Sequence, residues 1–129
     1  MPESVPGRLE LSSIEALAAE LDSHALALNF LCDYLAMLPG RMARITNHLG
    51  EQDGDAAMDA LLSLRVTSSM AGALDAEAAC RNLETLVSRS RFEEAANAAL
   101  QLNQQVLSLV AAAPAIVIAA RFEHLPLAS

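Results

Sequence analysis

Apolar residues recur at intervals of three and four along almost the whole chain, the spacing that gathers them on one side of an α-helix. Leu11, Ile14, Leu17 and Leu21 form a first, short stripe, with Ser12 as its predicted cap and Glu15 reaching back three residues later. Ser23 is placed to cap a long second helix carrying Leu28, Leu31, Leu35, Leu38, Met42, Ile45 and Leu49. That stripe keeps its phase through Pro39-Gly40, which predicts a kink rather than a break. Gly50 to Gly54 reads as a turn, and Asp53 or Asp55 opens a third helix that runs to about Ala73. Asp75 is expected to cap a fourth helix with Ala79, Leu83 and Leu86 inward. Ser90 opens a fifth, along which Phe92, Ala95, Ala99, Leu102, Val106 and Leu109 step by three and four until Pro114 ends it.

The expected architecture is all-α: an antiparallel four-helix bundle with a short N-terminal helix and an apolar C-terminal tail. The chain divides into an N-terminal segment 1–9, a bundle 10–112 and a tail 113–129. In that tail Ile116 to Ile118, Phe122 and Leu125 are apolar enough to pack back on the bundle or onto a partner. Alanine makes up about a fifth of the residues, which favours helix, and no internal repeat stands out.

Composition narrows the function. With 129 residues, 53% of them hydrophobic and 19% charged, one compact domain is expected and wholesale disorder is excluded. Eight arginines and no lysine face sixteen acids, a net charge of −8 that leaves no basic stripe for a nucleic acid. Cys32 and Cys80 have no metal-ligand spacing and each lies in an apolar run, so both read as reduced, buried thiols of a cytoplasmic protein. Met1 to Glu10 lacks the form of a secretory signal. Val106 to Ala120, interrupted by Ser108 and Pro114, falls short of the roughly 20 residues of a membrane span.

No cofactor and no metal is expected. Asp53, Asp55 and Asp59 lack the glycine and terminal glutamate of a calcium loop, and helix capping accounts for them. His24, His48 and His124 read as ordinary surface histidines, and no nucleophile elbow surrounds a serine. An enzyme is not expected.

The third helix is more informative. On a wheel of about 100° per residue centred on Leu64, the residues Ala57, Leu61, Ser68 and Ala71 share the buried side. Leu62 and Val66 then point to the opposite side, with Asp59, Ser69 and Ala73 beside them. A helix that already has a full core stripe thus turns two branched aliphatic residues, one turn apart, toward solvent.

The run from Leu61 to Gly72, LLSLRVTSSMAG, resembles the signature of histidine-containing phosphotransfer (HPt) domains. Leu64 matches the family's leucine, Arg65 stands for its lysine, Ser68 for its small residue and Gly72 for its closing glycine. The following Ala79-Cys80-Arg81-Asn82-Leu83-Glu84 is similar to the family's next segment, and the likeness extends over about residues 10–112. At the position of the phosphorylatable histidine, however, the chain has Leu62. Val66 fills the place of the glycine that admits the incoming aspartyl phosphate, so nucleophile and access are lost together.

The resemblance therefore implies a phosphotransfer-like domain that accepts no phosphate and binds a response-regulator receiver domain or a histidine kinase. Its docking face would comprise Leu62, Val66, Arg65, Ser69 and Asp59, with Arg65 retaining the basic charge as a solvated guanidinium. A monomer is expected. The alternatives are a working phosphorelay intermediate that uses another histidine, His48 being the nearest candidate, and a structural bundle that self-associates through its patch or tail.

Overall fold

In the computed structural model, which describes residues 9–124 with side chains as far as Phe122, the chain is a bundle of five helices. They are α1 (Leu11–Leu21), α2 (His24–Gly50), α3 (Gly54–Ala71), α4 (Leu74–Ser88) and α5 (Phe92–His124), with no strand among the described residues. Residues 1–8, those beyond 124 including Leu125, and the side chain of His124 lie outside the described residues.

Helices α2 to α5 touch in a cycle: α2 lies on α3, α3 on α4, α4 on α5 and α5 on α2. Among the described residues no contact joins α2 to α4 or α3 to α5 across the middle, and α1 rests against α2, α3 and α5. The axis of the cycle is filled by Leu31, Leu38 and Ile45 from α2, Leu61 and Leu64 from α3, Leu83 from α4, and Leu102 and Leu109 from α5, all at most 1% exposed. Each such side chain contributes about 1.5–3 kcal/mol on leaving water, so this column dominates the stability of the fold.

Two caps form as the sequence predicts. Ser23 Oγ accepts from the Leu26 amide at 3.1 Å, and Asp53 Oδ1 accepts from the Ala56 amide at 3.1 Å. Three others differ. Helix α1 starts one residue before Ser12, because the Glu10 amide donates to the Gly72 carbonyl at 2.8 Å and the backbone contact with the end of α3 sets the entry. Ala73 rather than Asp75 precedes α4, since its amide closes the α3 terminus on the Ser68 carbonyl at 2.8 Å and the chain turns directly into the next helix. Ser90 occupies a left-handed turn residue with φ 57°, so α5 begins two residues later.

Gly72 itself needs to be glycine. Its φ of 84° is left-handed, and a Cβ there would collide with the Glu10 carbonyl and stand 2.9 Å from Cβ of Ser13. Burial also corrects four side chains. Leu21, at the end of α1, is 43% exposed because Asp22 turns left-handed and leads the chain away. Leu28 and, on α4, Ala79 and Leu86 lie at the margin of the core, while Ala76, Cys80, Leu83 and Val87 form the buried side of α4.

The largest departure is at the C-terminal end. Helix α5 continues through Pro114 to His124, so the proline does not end the helix as expected and residues 113–124 extend it. Proline removes the bond to the Val110 carbonyl, but that residue is 37% exposed and water can replace the donor. Alanine at 111, 112, 113 and 115 favours helix around the defect, and Ala113, Ile116, Val117 and Ala120 pack against the core. By length and composition the stretch Phe92–Phe122 could cross a membrane, which the interrupted run Val106 to Ala120 was not expected to do. Helix α2 likewise runs unbroken through Pro39.

Candidate functional site

Helix α3 has the two-sidedness its spacing predicts. Ala57, Leu61, Leu64, Ser68 and Ala71 are buried, while Leu62 and Val66 are 45% and 44% exposed on the outer side. Asp59 and Ser69 are exposed with them. Ala73 is not, because the helix ends at the Gly72 turn and the wheel no longer applies beyond it; Ala73 is 1% exposed under α4.

The apolar face is wider than the sequence suggested. Met70, one turn beyond Val66, and Met37 on the neighbouring α2 are 40% and 46% exposed. Both could have been found from the spacing, since Met70 follows Val66 by four residues and Met37 falls outside the α2 core stripe.

Polar contacts hold the rim. From α2, Nη1 of Arg41 donates to Oγ of Ser63 at 2.6 Å, next to Leu62 in the chain. Toward α4, Nε of Arg65 donates to Oε2 of Glu84 at 2.7 Å, with 23% and 17% of the two side chains exposed. Arg65 is therefore not the solvated cation the sequence suggested: the α3–α4 packing brings a glutamate within reach, and pairing satisfies both charges at the edge of the core. Thr67 turns its hydroxyl back onto the Ser63 carbonyl at 2.9 Å.

Behind the face, the Tyr34 and Ser68 hydroxyls share a buried 2.7 Å hydrogen bond that ties α2 to α3. Burial pushes the Tyr34 phenol up to about 12, against the smaller lowering effect of the Ser68 bond. Burial, together with the charge of Glu84, likewise pushes the Cys80 thiol up to about 12. Cys32 is exposed, contrary to its apolar neighbourhood in sequence, because it lies next to Leu31 on the side of α2 turned away from the core.

The histidines lie elsewhere. His24 is in the first turn of α2 and His48 in its last. Nδ1 of His48 is 3.6 Å from Oε1 of Glu51, and with Asp53 these side chains place potential ligand atoms within 4.8 Å of one another. Oδ1 of Asp53 already caps α3, and Glu51 is 68% exposed, so the group resembles a solvated helix end as much as a ligand set.

The outer face of α3 thus offers branched aliphatic and thioether surface bounded by two anchored guanidinium groups. Neither Leu62 nor Val66 has an atom that can hold or move a proton; what they can do is leave water. Comparison with protein-family profiles, curated proteins and solved structures finds no match to this chain.

Proposed function

We propose that this chain is a phosphotransfer-like interaction protein that docks a receiver domain or sensor kinase of two-component signalling and accepts no phosphate. In this reading α2 to α5 form an antiparallel four-helix bundle of the HPt type, with α1 as the short N-terminal helix. The cyclic contacts of α2–α5 support that arrangement. The single observation carrying the function is the outward Leu62/Val66 pair on a helix whose inner side is already full.

The physical argument is one of surface. Each half-exposed aliphatic side chain contributes roughly 1 kcal/mol when a partner covers it, which suits a modest, transient complex. An apolar side chain at 62 supplies contact area without a nucleophile. The anchored Arg65 and Arg41 keep the face rigid, so little entropy is lost on docking.

The test is to mix the full chain with a panel of phosphorylated receiver domains, measuring complex formation and acid-labile phosphate. Binding that Leu62→Asp abolishes, with no phosphate on this chain, is the expected result. Phosphate transferred to it, or binding indifferent to Leu62→Asp and Val66→Asp, overturns the reading. The paired substitution Leu62→His and Val66→Gly is expected to create an acceptor for one of the receivers that bind.

A further inference from the structure

The solvent side of α5 carries a second apolar surface that the face on α3 does not use. Residues 95–120 contain no aspartate, glutamate, lysine or arginine. The inner side of this stretch is committed to the core through Ala99, Leu102, Val106, Leu109 and Ala120. Outside, Leu107, Ile118 and Phe122 are 59%, 55% and 61% exposed, with the exposed small residues Ala111, Pro114 and Ala115 between them. At 1.5 Å per residue, the strip from Leu107 to Phe122 is about 24 Å long.

We propose that this strip is a homodimer interface, in which α5 of one copy packs on α5 of a second about a two-fold axis. The pairing takes up the self-association that the sequence leaves open as an alternative to the expected monomer. Three features favour a second copy as the occupant. Charge is the first: each copy carries −8 overall, yet residues 107–120 of the two strips bring no charged side chain together, the exposed Arg121 lying at the end of each strip where water reaches it. Shape is the second, because small residues at the middle of the strip let two helices approach closely while the large side chains at its ends close over them. Area is the third: two such strips together cover on the order of 1,000 Å², the lower bound for a specific interface, which predicts a weak, concentration-dependent dimer.

A lipid bilayer is the competing occupant, since Phe92–Phe122 is long and apolar enough to span one. Spanning would pull Leu102, Val106 and Leu109 out of the core they complete. Adsorption to a surface brings an acidic, lysine-free chain against anionic headgroups, which repel it.

Sedimentation equilibrium of the full chain, from low to high micromolar concentration, tests the proposal. The mass is expected to rise from 13.6 kDa toward twice that value, more readily at high salt, where repulsion between acidic copies is screened. Leu107→Glu and Ala111→Arg should each raise the dissociation constant at least about tenfold with the helical circular dichroism retained. Ala111→Arg removes no buried side chain, so its effect is not one of misfolding. Leu62→Asp, on α3, should leave the dimer unchanged. A wild-type chain that stays at 13.6 kDa throughout, or dimers indifferent to both strip substitutions, overturns the proposal. So does a chain that is monomeric in buffer and floats with phosphatidylcholine vesicles until Ala111→Arg releases it, since lipid is then the occupant.

Discussion

Arg65 of α3 and Glu84 of α4 meet through a 2.7 Å bond between Nε and Oε2, in which neither side chain is more than a quarter exposed. The pair ties the outer edge of α3 to α4 across the helix interface. Glu84→Gln keeps the shape and removes the charge, and we expect it to cost about 1–2 kcal/mol in urea unfolding, with Arg65→Gln similar. The double variant should lose less than the sum, because each single change strands a partner at the edge of the core. Strict additivity would mean that the two side chains do not interact.

The buried hydrogen bond between the Tyr34 and Ser68 hydroxyls makes a sharper prediction. Ser68→Ala leaves the buried phenol without its partner and should cost about 1–3 kcal/mol, whereas Tyr34→Phe with Ser68→Ala should restore part of that loss. The phenol of the folded chain holds its proton to about 12, against 10.0 ordinarily. Folding therefore favours the neutral phenol, and the stability that Tyr34 contributes is level below about pH 10 and is lost as pH rises from 10 toward 12. Cys80, raised from 9.0 to about 12, acts in the same direction from about pH 9 upward. Tyr34 is the chain's single tyrosine and there is no tryptophan, so phenolate absorbance reports this site alone. Its midpoint should lie well above the free value in the native protein and return to it in denaturant.

The two thiols should separate cleanly. Cys32 is exposed and Cys80 fully buried, so a disulfide-forming reagent at neutral pH is expected to label Cys32 in the native protein and Cys80 only at the rate of opening. Ser68→Ala should accelerate the slow phase and leave the fast one unchanged. Two equally fast thiols would contradict the packing of α4.

Pro114 sits within a continuous helix and removes one of its hydrogen bonds. Pro114→Ala restores that bond and should raise the stability by about 1–3 kcal/mol in thermal unfolding, with no loss of helical signal. Were residues 113–124 a separate tail, the same change would leave the midpoint where it is.

Five helices, their approximate ends apart from the C-terminal end of α5, and the two faces of α3 follow from the chain alone. They are readable because spacing by three and four acts within a few residues, and Ser23 and Asp53 cap through neighbours three positions away. Leu62 and Val66 were legible as outward residues for the same reason. What escaped the sequence depends on residues far apart in it. Arg65 meets Glu84 across 19 positions and Tyr34 meets Ser68 across 34, pairings that exist only once helices lie side by side. The start of α1 rests on Gly72, and the persistence of α5 past Pro114 rests on Ile116, Val117 and Ala120 finding the core. Local periodicity determined which residues form helices and which way they face. The tertiary structure decided which charges are paired, which thiol is sealed and whether a proline ends its helix, because those outcomes are set by neighbours that periodicity does not encode.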